Sequence, residues 1–272
     1  MRFIDKLDRM IERNDSLLCV GLDTDRSKIP KHLSEKKEGL LDFNRTIIDE
    51  TSDLVCCYKL NMAFYESIGV DGIKLLMETI NYIPKDIPTI LDGKRGDIGN
   101  TAKYYASEIF ELYGADATTV NPYMGIDSIG PFLKYKDRCT FVLCRTSNPS
   151  ANDFQDLIVS RDNLPIYQIV ARKIKEWNKI GNCGAVVGAT YPEELKIVRS
   201  ILGDEIPILI PGVGKQGGDL ERAVRYGTNS NGKNAIINSS RSIIYASSGK
   251  DFAREARRSA EKLKNDINLF RQ

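Results

Sequence analysis

Hydrophobic and polar positions along the chain follow two alternating periods. Short apolar runs rich in β-branched residues fall at 17–22, 55–60, 88–93, 116–121, 139–145, 183–188, 206–211 and 234–238. Their spacing is too long for hairpins, so each run predicts a buried strand of a parallel sheet. Between the runs, apolar residues recur every third or fourth position, as in Ile98, Ala102, Tyr105 and Ile109, or Ile166, Val170, Ile174 and Trp177. That period predicts helices, the last of them near 250–265. Phe3, Ile4, Leu7, Met10 and Ile11, set among charges, predict an N-terminal amphipathic helix rather than a signal peptide. Eight strands alternating with helices, with no break in composition, predict an α/β chain folded over 1–272 as one (β/α)8 TIM barrel domain. A doubly wound open sheet competes with it and would need a less regular count.

Composition narrows the classes. The 272 residues suffice for one large barrel, and the 42% hydrophobic fraction suits a water-soluble core. A formal net charge of +2 gives no reason to expect a nucleic acid or an anionic membrane as partner, though a local basic pocket could hold a phosphate. No apolar run approaches membrane-spanning length. The six cysteines mostly lie within strand-like runs and none forms a Cys-x-x-Cys pair, which fits free buried thiols in a reducing, cytoplasmic setting. With His32 the only histidine, and it in a turn, neither a zinc site nor a Ser-His-Asp triad is expected.

In a barrel of this kind the loops after the strands form the working face. Asp23 follows the first expected strand, Lys59 and Asn61 end the second, Asp92 and Lys94 the third, and Asn121 the fourth. Arg145 to Ser150 follow the fifth, Pro211 to Gly218 the seventh, and Ser239-Ser240-Arg241 the eighth. The Gly- and Asn-rich stretch 227–234 follows a helix and belongs to the opposite face. The densest chemistry is the run Asp92-Gly93-Lys94-Arg95-Gly96-Asp97. Asp92 and Lys94 share a strand face, and Asp97 and Thr101, four apart, are expected on one face of the following helix. Lys59, Asp92, Lys94 and Asp97 alternate in sign. They form either a structural ion-pair network or a fence that keeps Lys94 cationic as a proton donor. A substrate carboxylate beside Asp92 or Asp97 would be repelled, and the carbanion left by its departure would meet Lys94, with no metal or other cofactor required. The glycine-rich seventh loop with Gln216, together with the amides of Ser240 and Arg241 and the Arg241 guanidinium, suits a phosphate.

These residues resemble the orotidine 5'-phosphate decarboxylase family over nearly the whole chain. The matching blocks run in order from Gly21-Leu22-Asp23 and Tyr58-Lys59-Leu60-Asn61 to Leu91 through Thr101, Arg145-Thr146-Ser147-Asn148, Pro211 through Gly218, and Ser239-Ser240-Arg241. The insert around 148–164 and the Ser-Ser-Arg ending are most similar to the longer-chain bacterial branch and some protozoan forms. The resemblance implies cofactor-independent conversion of orotidine 5'-monophosphate (OMP) to UMP and carbon dioxide. It implies that Asp23 and Lys59 hold ribose hydroxyls, Asp92 faces the departing carboxylate, and Lys94 protonates ring carbon six. Ser147 would read the pyrimidine edge, and Pro211, Gln216, Ser240 and Arg241 would line the phosphate end. Asp97 and Thr101 would reach into a neighbouring subunit's site, so a homodimer is expected. Ser240 stands where many relatives have glycine. Phosphosugar decarboxylases and hexulose-phosphate synthases on the same barrel are the nearest alternative, but they place a magnesium-binding glutamate where this chain has Lys59. A catalytically silent nucleotide-binding barrel is the other alternative.

Overall fold

The computed structural model describes residues 1–214 and 218–271. Among these, eight parallel strands close into a barrel: β1 (Leu18–Gly21), β2 (Cys57–Asn61), β3 (Thr89–Arg95), β4 (Ala117–Val120), β5 (Cys139–Arg145), β6 (Cys183–Val187), β7 (Ile208–Pro211) and β8 (Ala235–Ser239). Each strand pairs with its sequence neighbours, and β8 pairs with β1. The eight apolar runs therefore mark the eight barrel strands, and the sheet is closed rather than open. The strands are buried because helices cover the outside while side chains fill the inside, so near-continuous apolar runs are stable there.

The N-terminal helix Phe3–Asn14 closes the floor of the barrel. Its buried face carries Phe3, Leu7, Met10 and Ile11, and Phe3 meets Phe141 of β5 edge-on. Lys6, also on that face, places its ammonium 2.7 Å from Asp116, whose carboxylate also accepts the Thr89 N–H at 2.9 Å. Both partners sit at strand beginnings, so this ion pair ties the helix to the end opposite the loops that follow the strands. The terminal helix, Phe252–Phe270, runs further than the expected 250–265.

Two local departures matter for the site. β3 continues to Arg95, past the expected end at 93, because a bulge carries it on. The next helix spans Gly99–Ser107, so Asp97 lies before it and does not share a helical face with Thr101. Ile98 is extended and Gly99 has φ +59°, neither compatible with an earlier α-turn. The insert after β5 folds as a 3-10 turn, Pro149–Asp153, and a small hairpin pairing Ile158–Val159 with Leu164–Pro165. Stretch 227–234 connects the helix Leu220–Gly227 to β8 at the floor side, as its position after a helix predicts. Among the described residues no helix is long and apolar enough to cross a membrane, and all six cysteines are buried free thiols.

Candidate active site

Strand ends from around the barrel converge on a cavity of about 500 Å³ at the mouth. β1 delivers Asp23, β2 Lys59 and Asn61, β3 Asp92 and Lys94, and β4 Thr119. Loops after β5 and β7 add Thr146, Ser147, Asn148 and Pro211 to Val213, and the β8 end adds Asn238, Ser240 and Arg241.

Lys59 and Asp92 form the buried base of the charge cluster. Lys59 Nζ lies 3.3 Å from Asp23 Oδ1 and 3.5 Å from Asp92 Oδ2, with its side chain 5% exposed. Burial alone would pull the Lys59 ammonium down, but the charges of Asp23 and Asp92 outweigh it and hold the group above its usual value. Asp92 gives its second oxygen to Lys94, with Nζ 2.7 Å from Oδ1. Burial would raise the Asp92 carboxyl; the Lys59 and Lys94 charges, with hydrogen bonds from Lys94 and Thr119, instead lower it to about 2. The carboxylate thus stays ionised. Lys94, at 46%, is far more exposed than its partners, so its ammonium is the one that faces an incoming ligand.

Asp97 and Thr101 stand apart. They do not line this cavity, and the Asp97 carboxylate accepts the Ile98 N–H at 2.7 Å. Within one chain, therefore, Lys94 is fenced by Asp92 but not by Asp97. The remaining expected residues Asp23, Ser147, Pro211, Ser240 and Arg241 all line the cavity, and Gln216 lies outside the described residues. Ser240 is accommodated because it faces Gly21: its Oγ donates to the Gly21 carbonyl at 2.9 Å, and a Cβ on Gly21 would come within 2.7 Å of Ser240 Cβ. Gly188 similarly makes room for Ser147, since a Cβ there would sit 2.7 Å from Ser147 Cα. The β7 loop is pinched at its base, where the Gly218 N–H donates to the Gly212 carbonyl at 3.2 Å.

Several polar contributors escaped the sequence reading of the site, among them Thr119, Asn238 and Gln155. β4 provides Thr119, not Asn121; Asn121 instead accepts from the Tyr123 N–H in its own loop. Asn61 donates its backbone N–H to Asp23 at 3.2 Å, and Asn238 accepts from the Cys19 thiol at 3.4 Å. Gln155 reaches the cavity from the insert. A polar residue at the end of an otherwise apolar strand signals Asn238, as it does Asn61, while Thr119 and Gln155 carry no such mark.

Known proteins share this fold and much of this sequence. The family model described as orotidine 5'-phosphate decarboxylase / HUMPS matches residues 16–256. The chain is 50% identical to the orotidine 5'-phosphate decarboxylase of Cupriavidus necator, over 100% of this chain and 99% of that one. Among solved structures, Leishmania donovani OMP decarboxylase superposes with a TM-score of 0.86 at 37% identity, covering 100% of this chain and 99% of the other. Leishmania donovani UMP synthase gives a TM-score of 0.89 at 38% identity, and this chain spans 57% of its length. With the match extending along the chain and the Asp-Lys cluster set in the mouth of the barrel, the chain belongs to the orotidine 5'-phosphate decarboxylase family.

Proposed function

We propose that the chain converts OMP to UMP and carbon dioxide, without a metal or other cofactor in the chemistry, as a step of pyrimidine nucleotide synthesis. The observation that carries this reading is the Lys94 ammonium, held 2.7 Å from an ionised Asp92 at the mouth of the cavity. OMP would bind with its C6 carboxylate beside Asp92. The bond from C6 to that carboxylate breaks, carbon dioxide leaves, and the electron pair remains on C6. Lys94 then gives C6 a proton and recovers one from solvent. A cation already in place as negative charge develops lowers the barrier without reorganisation.

The other residues bind. Asp23 and Lys59 are assigned to the ribose hydroxyls, and Ser147 to the pyrimidine edge. Pro211, Gln216, Ser240 and Arg241 are assigned to the phosphate end, where Arg241 supplies positive charge. Binding energy from the phosphate, remote from C6, can be used to order the loops after β5 and β7 around the ring.

The second copy in a homodimer would complete the site. Asp97 and Thr101 lie outside their own cavity, and the surface near them is apolar: Ile98, Tyr104, Tyr123, Met124 and Ile126 are exposed on or beside two packed helices. Such a patch suits a partner of the same chemistry. The buried free thiols suit a reducing compartment such as the cytoplasm.

The test is the fall in ultraviolet absorbance when OMP is added to purified, metal-stripped protein with a chelator present. Turnover is expected. Turnover of a phosphosugar that requires added magnesium would move the chain to the other branch of the barrel group, and no turnover of either would leave a binding protein.

A further inference from the structure

The bulge in β3 leaves backbone groups that the sheet cannot satisfy, and β4 meets them with hydroxyls. The register pairs Leu91 with Thr118 and next pairs Arg95 with Val120, so Asp92, Gly93 and Lys94 face Thr119 alone. Thr118 Oγ1 donates to the Leu91 carbonyl at 2.8 Å. Thr119 Oγ1 accepts the Lys94 N–H at 3.0 Å and donates to Asp92 Oδ1 at 2.7 Å. A hydroxyl has one proton and two lone pairs, so it can make both bonds at once. Lys94 itself adopts φ +47°, a left-handed region in which a Cβ crowds the following carbonyl. Something must hold it there.

We propose that Thr119 is a positioning residue for the decarboxylation. Its hydroxyl receives the Lys94 amide and so fixes the bulge that carries the ammonium out over the cavity. The same hydroxyl, by donating to Asp92, fixes the carboxylate orientation that presents Oδ1 to Lys94 and Oδ2 to Lys59. Thr119 is 1% exposed and its proton is committed to Asp92, so it acts through the Lys94 backbone and the Asp92 carboxylate rather than on the substrate. The inference rests on the decarboxylase reading above.

The experiment compares wild type with Thr119→Val, Thr119→Ala and Thr119→Ser for OMP turnover, KM and UMP binding. Valine keeps the shape and loses both hydrogen bonds, while alanine and serine differ from each other by the hydroxyl alone. Thr119→Val is expected to lower kcat by about 10- to 100-fold, with KM and UMP affinity changed by no more than about 2-fold. Thr119→Ser should exceed Thr119→Ala in kcat by roughly 10-fold, because a general packing role would treat the two alike. If Thr119→Val does not fold, the alanine–serine pair decides. Equal kcat for those two, or a Thr119→Val enzyme within about 2-fold of wild type, overturns the assignment. An inactive wild type would instead sink the decarboxylase reading, so the two failures are distinguishable.

Discussion

Asp92 binds Lys94 at 2.7 Å across a bulge in their own strand, so the carboxylate and the ammonium are set by one irregularity of the backbone. A regular strand would place residues two apart on the same face at a fixed spacing, with the backbone amide of the second in the ladder. Here the bulge lifts Lys94 toward the open mouth while Asp92 stays buried against Lys59. One member of the pair is anchored and the other is presented. That division of labour separates a residue that can deliver a proton from residues that hold its partner in place.

Lys94→Ala therefore removes the donor without removing the anchor. Asp92 keeps the Lys59 ammonium at 3.5 Å and the Thr119 hydroxyl at 2.7 Å, so the fold should survive. Turnover is expected to fall by at least about 1,000-fold while UMP still binds, measured by absorbance assay and by titration calorimetry. Retention of more than a tenth of the wild-type kcat would refute Lys94 as the proton donor.

Much of this was legible in the chain because it depends on local pattern. Apolar runs at long spacing become barrel strands whatever their neighbours do, and charged residues at strand ends must emerge where the loops converge. Asp23, Lys59, Asp92 and Lys94 could be placed that way. Thr119 could not, since its role arises from a bulge in a strand distant in sequence, and a threonine within a strand is otherwise ordinary. Gln155 sits in an insert whose path is set by tertiary contacts. Asp97 was legible as chemistry but misplaced on a helix, because the left-handed Gly99 delays the helical start.

If Asp97 serves the neighbouring subunit, complementation should reveal it. Asp97→Asn and Lys94→Ala homodimers should both be nearly inactive. A heterodimer of the two contains one site carrying both defects and one carrying neither, so mixing should restore up to about half the wild-type activity per heterodimer. Verified heterodimers that show no recovery would place Asp97 in its own chain's site or outside the chemistry.

The Asp92 carboxyl also makes stability depend on pH. Its folded value of about 2 lies below the ordinary value of 3.8, so the unfolded chain binds the proton more readily than the folded one. The stabilisation is present above pH 4 and is lost as pH falls toward 2. It amounts to about 2 kcal/mol for a shift of this size. Denaturant melts of wild type should therefore lose about that much more stability between pH 4 and pH 2 than melts of Asp92→Asn. Parallel curves for the two proteins would show that Asp92 is not held ionised.

The insert after β5 should control substrate affinity through Gln155 and fold stability through its ion pair with a buried arginine. Arg145, 1% exposed, stacks its guanidinium 3.7 Å over the Tyr191 ring and pairs with Asp156 of the insert at 3.0 Å. The adjacent Gln155 accepts the Thr146 N–H at 2.8 Å and donates to the Thr146 hydroxyl at 2.9 Å, fixing the residue before Ser147. Asp156→Ala leaves the guanidinium with the ring, the Thr146 carbonyl and, at 3.5 Å, the Gln155 side-chain carbonyl, but with no counter-charge. Because Asp156 is itself 38% exposed and partly screened, the loss should be only about 1 kcal/mol in a thermal melt. Gln155→Ala removes the two neutral bonds to Thr146 and only a long contact, 3.5 Å, from the Arg145 guanidinium, so it should raise KM for OMP several-fold with little change in melting temperature. The two variants thus separate what the insert does for the fold from what it does for the ligand. An unchanged KM in Gln155→Ala would mean that Thr146 and Ser147 hold their positions without the insert, leaving the Asp156 pair a matter of stability only.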